Sequence, residues 1–202
     1  MTDLTTSLAS YRPDGAADGP FFSLEGEATV AGSVVTVPGE RDGPTVSPLS
    51  LDLKVAINFD APHEQFVRMI LVSFGDEDGR SSAQILEQTA QTTTNPMRVI
   101  LSNYKMRPDI KFKVIKDVTV SSKPVNAAHN EITASRQKLV RLRHKFNASD
   151  RMNYASLANE EPQTNAIYLY ACYSQGRLTA GGNYANATAP SLAFVGRQRY
   201  LR

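Results

Sequence analysis

The sequence predicts an all-β protein, a two-sheet sandwich or barrel with eight short strands and one short helix. Three observations predict this class. Apolar and polar residues alternate in several short runs, the runs are separated by Pro, Gly, Asn and Asp, and no rhythm of strands alternating with long helices is present. Many short strands joined by turns are typical of sandwiches and barrels.

The N-terminal segment has a different composition from the rest of the chain. Residues 1–20 are rich in Thr, Ser, Gly, Asp and Pro and show neither a helical nor an alternating apolar period. We therefore expect a flexible arm that orders only against a neighbouring molecule. The remaining length suits one folded domain, residues 21–202, with a single core.

Two strands are predicted at the start of this domain. Residues 28–37 are rich in Val and Thr and end at a Pro-Gly turn, and residues 49–59 alternate over eleven positions. An alternation of this length predicts a strand with one buried face and one wet face. The apolar side of the second strand consists of Leu49, Leu51, Leu53, Val55, Ile57 and Phe59.

A central strand and the short helix are expected next. Residues 66–74 are apolar on both parities except Arg68 and Ser73, which indicates a strand buried on both faces. Residues 82–90 begin with a possible serine cap and contain good helix formers, so they predict the one helix.

The C-terminal half supplies the other strands of the predicted eight. They cover residues 97–102, 111–121, 135–147, 165–174 and 191–201. In the second of these, Phe112, Val114, Val118 and Val120 share one parity, which Lys116 interrupts.

Residues 135–147 allow two interpretations. Val140, Leu142, His144 and Phe146 alternate with Arg141, Arg143 and Lys145, which favours a strand. Leu139, Leu142 and Phe146 also follow a helical spacing. We favour the strand because the alternation is the longer pattern.

The charge is unevenly distributed along the chain. Residues 1–64 hold three basic and ten acidic residues (−7), whereas residues 65–202 hold nineteen basic and ten acidic ones (+9), which gives the net charge of +2. The steepest excess lies in residues 98–145. Such a split indicates a positive surface that faces a polyanion.

Alternating cations in two predicted strands form the candidate nucleic-acid-binding site. Side chains at every second position of a strand point to one side, where they can contact phosphates. A solvated sheet face with protective charges at its edge is the alternative. The candidates are Lys111, Lys113, Arg136, Lys138, Arg141, Arg143 and Lys145.

Other polar residues give weaker signals. Asp76 and Asp78 are weak candidates for a calcium site, but their spacing matches no calcium loop, so a solvated turn and no metal is the main expectation. Cys172 lies in an apolar run and is expected to be core. Tyr168, Tyr170 and Tyr173 could stack on bases, although core packing or subunit contact is the more frequent role of such residues.

The three histidines, His63, His129 and His144, stand apart, with no partner at metal-ligand spacing. His129 and His144 could titrate in mild acid.

Motifs of common enzyme classes are missing from the sequence. It contains no G-x-S-x-G, no phosphate-binding glycine loop and no G-x-G-x-x-G. We therefore expect neither catalysis nor a cofactor. Its apolar runs are shorter than the about 20 residues that a membrane helix needs, and residues 1–10 do not resemble a secretory signal.

Five segments in sequence order carry a resemblance to a known family. They are GERDGPTVSPLSLDLKVAI (39–57), FVRMILVSFGDEDG (66–79), SAQILEQ (82–88), KFKVIKDVTVS (111–121) and TNAIYLYACYS (164–174). Together they resemble the jelly-roll coat proteins of small Rep-encoding single-stranded DNA viruses, circovirus-like in the broad sense, and of the satellite tobacco necrosis virus type. Many of these proteins begin with an arm rich in Arg and Lys, whereas Arg12 is the single basic residue among residues 1–40 here.

The resemblance implies an eight-stranded antiparallel jelly roll that acts as a capsid domain. It further implies a homo-oligomer of 60 copies in an icosahedral (T=1) shell, with a single-stranded genome as partner, present in the virion and in the host cell during assembly. A non-viral jelly-roll binding module and a single-strand nucleic-acid-binding protein are the alternatives.

Overall fold

The computed structural model describes residues 2–12, 20, 28–30, 33–35, 43–59, 64–75, 80–92, 95, 97–122, 136–155, 161–175 and 189–201. The strands are β1 (Thr2–Asp3), β2 (Ala9–Ser10), β3 (Ala28–Val30), β4 (Ser33–Val35), β5 (Thr45–Phe59), β6 (Gln65–Phe74), β7 (Phe112–Ser121), β8 (Arg136–Lys145), β9 (Met152–Asn153), β10 (Ala166–Gln175) and β11 (Ser191–Leu201). Among these residues there is one helix, α1 (Ser82–Ile85).

Eight of the strands form two antiparallel sheets. Sheet A has the order β1-β11-β5-β8, and sheet B has the order β2-β10-β6-β7. The short strand β9 pairs with β5 outside this order, and β3 and β4 pair only with each other.

The strand order is that of a jelly roll. Counted along the chain, the first of the eight strands pairs with the eighth (β1 with β11), the second with the seventh (β2 with β10), the third with the sixth (β5 with β8) and the fourth with the fifth (β6 with β7). A long antiparallel hairpin rolled up on itself gives these pairs. The predicted fold class is therefore confirmed.

Two of the eight strands lie elsewhere than the sequence predicted. Residues 28–30 and 33–35 form a separate hairpin, and residues 97–101 form a turn in which the Leu101 amide donates to the Met97 carbonyl at 2.9 Å. Their places in the sheets are taken by β1 and β2, which precede the expected domain start at residue 21. Strands of two residues are too short to produce a recognisable period.

Residues 2–12 pack on the sandwich, although composition suggested a free arm. Leu4, Leu8 and Tyr11 are buried, and the Tyr11 amide donates to the Leu169 carbonyl at 2.9 Å. Burial of three apolar side chains docks this polar segment, because Leu4 and Tyr11 join the core between the sheets and Leu8 joins the cluster on the outer side of sheet B.

The core between the sheets follows the predicted alternation of β5. Leu51, Leu53, Val55, Ile57 and Phe59 are all buried. The predicted inward position of the sixth member, Leu49, is wrong, since this side chain is 44% exposed. The register of β5 with β11 shifts there, because Ser50 pairs with Arg199 but Pro48 pairs with Tyr200, and this bulge reverses the side-chain parity.

A second bulge divides the apolar side of β7 between two cores. Phe112 and Val114 pack on the outer side of sheet B, whereas Val118 and Val120 pack between the sheets. The register shift at Ile115 causes this change, since Lys116 pairs with Leu71 but Val114 pairs with Val72. The single apolar parity expected for this strand is therefore wrong.

The described residues between 80 and 110, which we call the covering segment, pack over the outer face of sheet B. Ile85, Leu86, Val99 and Ile100 from this segment pack in one buried cluster with residues of β6 and β10. The strand β6 is therefore buried on both faces, as predicted. The helix is shorter than predicted and stops at Ile85, because the next residue forms an isolated bridge with Tyr104.

Arg68 fixes the covering segment to β6. Its Nε and Nη2 donate to the two carboxylate oxygens of Asp117 at 3.1 and 2.7 Å, and Tyr104 donates to the same carboxylate at 2.6 Å. Its Nη1 donates to three backbone carbonyls of the covering segment, those of Val99, Ile100 and Ser102. A buried charge with this many acceptors is satisfied.

Within the part of the chain that the structure describes, no helix has the length and apolar character needed to cross a bilayer.

Candidate nucleic-acid interface

The outer face of sheet A is exposed and positively charged. Successive side chains of a strand point to opposite faces, so alternate residues of β8, β5 and β11 share this surface. Its rows, written from β8 through β5 to β11, are Arg141, Lys54 and Val195; Arg143, Asp52 and Arg197; and Lys145, Ser50 and Arg199. We call the six cations and Asp52 the basic face.

Asp52 lies among these cations and is held by two of them. The Nε of Arg141 donates to Oδ1 of Asp52 at 2.7 Å, and its Nη2 donates to Oδ2. The Nε of Arg143 lies 3.7 Å from the same Oδ2. The hydrogen bonds from Arg141 and the positive charges of Arg141, Arg143 and Lys54 lower the pKa of Asp52 to about 2. The carboxylate is therefore charged at any physiological pH.

Four of the six cations have no such neutralising contact. Among the residues that the structure describes, Lys54, Lys145, Arg197 and Arg199 form no salt bridge. The basic face therefore carries six positive charges against one negative charge. Two exposed apolar side chains, Leu139 and Val195, each 72% exposed, lie on the same side of the sheet.

The structure divides the seven predicted binding residues into separate groups. Arg141, Arg143 and Lys145 lie together on the basic face. Arg136 and Lys138 have the opposite parity on β8, and Lys138 donates to the carbonyl of Ser121 at the end of β7. Their side chains therefore do not belong to the same face.

The other two predicted residues lie on the side of sheet B. Lys113 on β7 forms a salt bridge with Asp150 at 3.0 Å, and Lys111 is an exposed residue just before that strand. The paired charge of Lys113 is less available to a polyanion than an unpaired one.

Sequence reasoning missed three members of the basic face, Lys54, Arg197 and Arg199. A signal was present, since Lys54 occupies a polar position of the alternating strand and Arg-Gln-Arg at 197–199 alternates as well. Bringing the three strands side by side required the sheet order, which the periodicity of single segments does not contain.

The weak calcium candidates Asp76 and Asp78 lie outside the described residues, as do His63 and His129. Among the residues the structure does describe, no three His, Cys, Asp or Glu side chains are grouped so that they could hold a metal ion.

Tyrosine and cysteine of β10 belong to the core. Tyr168 and Tyr170 are buried and stack on each other with ring centroids 5.9 Å apart. Cys172 is fully buried, and this burial raises the pKa of its thiol to about 12. These three side chains pack in the cluster under the covering segment.

His144 lies at the rim of the sandwich next to Phe146, with ring centroids 4.7 Å apart. Burial and the nearby Lys113 lower its pKa, which favours the neutral imidazole.

Comparison with models of protein families and with curated proteins finds no match to this chain.

Proposed function

We propose that this chain is the coat subunit of a small icosahedral virus, which assembles with copies of itself around a nucleic-acid genome. The observation that carries the proposal is the jelly roll with one sheet covered by its own chain and the other exposing six cations around a single acid. A shell subunit needs a compact body for lateral contacts and a positive surface for the genome.

Large apolar side chains on the surface support self-association. Leu101 and Met106 of the covering segment are 72% and 89% exposed, and Leu201 at the end of β11 is 58% exposed. Burying such groups between subunits would provide the main driving force for assembly. The basic face would offset the repulsion between packaged phosphates.

In the proposed particle, 60 copies form a T=1 shell around a single-stranded genome. The chain would therefore be found in the virion and, during assembly, in the host cell. Light scattering and electron microscopy of the purified protein test this. Sixty subunits of 22.1 kDa give closed particles of roughly 1.3 MDa. Nucleic acid inside them should resist nuclease. A persistent species of one to three subunits would contradict the proposal.

Particle size, together with the strength of nucleic-acid binding at low salt, distinguishes the two alternatives. A non-viral binding module would stay small and bind nucleic acid weakly. A single-strand-binding protein would also stay small but would bind strongly at low salt, which the basic face would explain equally well.

A further inference from the structure

We propose that the basic face of sheet A binds the phosphate backbone of a single-stranded nucleic acid and that Asp52 is its resident counter-ion, which competes with phosphate for Arg141. This inference rests on the proposed function and makes it more specific. It assigns binding to Lys54, Arg197 and Arg199 together with Arg141, Arg143 and Lys145, and not to the other four cations that the sequence suggested.

The spacing of the cations suits a flexible polyanion. Neighbouring strands lie about 4.8 Å apart, and alternate residues of one strand lie about 6.7 Å apart, so the face presents charge over roughly 10 by 13 Å. The long side chains of the face line an open depression of about 680 Å³ and carry their charges at flexible ends. Contacts of this type follow a phosphate backbone and are insensitive to sequence.

The contacts of Asp52 indicate what the face binds. Arg141 presents its planar fork to the carboxylate through two hydrogen bonds, and Arg143 approaches the same oxygen. Phosphate accepts the same forked pair of hydrogen bonds that carboxylate does. Asp52 therefore holds Arg141 in position for an anion, and it also blocks that position in the free protein.

Leu139 and Val195 favour a single strand over a duplex. Both side chains are exposed beside the cations, on the same side of sheet A. An unpaired strand can turn the apolar faces of its bases toward such groups, whereas a duplex keeps its bases stacked inside. A duplex or a sulfated polysaccharide would satisfy the cations but leave these two side chains in water.

The test is the salt dependence of binding to a fluorescent oligo(dT) of about 20 nucleotides. Anisotropy is measured over roughly 50 to 200 mM salt, at protein concentrations at which light scattering shows subunits and not particles. Five or six phosphate contacts predict a slope of log K against log salt of about −3.5 to −4 for the wild type.

Two variants should change binding in opposite directions. Arg197→Gln with Arg199→Gln removes two contacts, which should make the slope shallower by about 1.4 and weaken binding about 25-fold at 0.1 M salt. Asp52→Asn frees Arg141 and should steepen the slope by about 0.7 and tighten binding about fivefold. The matched control, Arg107→Gln with Lys111→Gln, removes two exposed cations on the side of sheet B and should bind like the wild type.

The outcomes separate a failure of this inference from a failure of the proposed function. If the Arg197 and Arg199 double variant keeps its melting temperature and binds like the control, the assignment to this face is wrong, even if the wild type forms nucleic-acid-filled particles. If the wild type forms no particles, the proposed function fails, whatever the oligonucleotide results are. Equal binding of oligo(dT), a duplex and dextran sulfate would refute the preference for a single strand.

Discussion

Replacing Arg68 by Met tests whether the covering segment depends on one buried cation. The side chain of Arg68 is 7% exposed and donates two hydrogen bonds to Asp117 and three to backbone carbonyls. Methionine has a similar length and keeps most of the apolar contacts of the arginine stem. The variant therefore removes the charge and the donors while it leaves little empty space.

The expected loss of stability is about 3–5 kcal/mol, the range found when one partner of a buried ion pair is removed. Two features set opposite limits on it. The Asp117 side chain is 27% exposed and keeps the hydrogen bond from Tyr104, so water can compensate part of its loss. The carbonyls of Val99, Ile100 and Ser102 lose a donor in a buried site, which costs about 1–3 kcal/mol for each group that stays unsatisfied.

Urea denaturation followed by circular dichroism measures this change, under conditions in which the subunit is not assembled. The control is Arg107→Met, an exposed cation of the same segment, which should alter the free energy of unfolding by no more than about 0.5 kcal/mol. Amide exchange should also accelerate around residues 97–104 in the Arg68 variant. A loss below about 1 kcal/mol with unchanged exchange would refute the reasoning, since it would mean that water replaces the guanidinium at no cost.

Three further predictions follow from buried groups. Cys172 has a thiol with a pKa raised to about 12 by burial, so a thiol reagent should label it only in denaturant; labelling of the native protein at the rate of a free thiol would contradict the core position. The pKa of His144 is lowered, chiefly by burial and by Lys113, so its contribution to stability is present above the usual 6.5 and lost as pH falls below it. His144→Gln should flatten the decline of the urea midpoint over about pH 7 to 5, and an unchanged decline would assign it to other groups. Leu8→Ala should lower the free energy of unfolding by about 2–4 kcal/mol because Leu8 is buried. The control, Leu139→Ala at an exposed position, should lower it by at most about 0.5 kcal/mol. Equal effects of the two substitutions would show that residues 2–12 are not docked in solution.

The sequence was sufficient where one periodicity dominated a long segment. The alternation in residues 49–59 predicted β5, and the alternation in residues 135–147 predicted β8 against a competing helix. In the structure Leu142 is 2% exposed and Leu139 is 72% exposed, although a helix with the alternative spacing would have buried both. A period of two therefore decided the conformation of β8.

The features that sequence missed depend on contacts between distant segments. The bulges at Leu49 and Ile115 are changes of pairing register, in which one residue has no partner on the neighbouring strand. The sequence of a single strand does not mark such a position. The buried role of Arg68 arises only when residues 97–104 fold over β6. Likewise, the basic face combines β5, β8 and β11, whose order follows from the jelly-roll topology and not from any one motif.

Asp52 separates the requirements of folding from those of binding. Six cations on one face repel one another, and the carboxylate among them reduces that repulsion in the free subunit. Because its pKa is depressed from 3.8 to about 2, its stabilising contribution is present above pH 3.8 and is lost as pH falls through about 2. A bound polyanion also reduces the repulsion among the cations. The Asp52 carboxylate then repels the bound phosphates. Asp52→Asn should therefore lower the urea midpoint of the free subunit while it tightens oligonucleotide binding. If Asp52 had only a structural role, its replacement would lower both the urea midpoint and the oligonucleotide affinity. If it had only a binding role, the urea midpoint would not change. Measuring both quantities on the one variant therefore separates these cases.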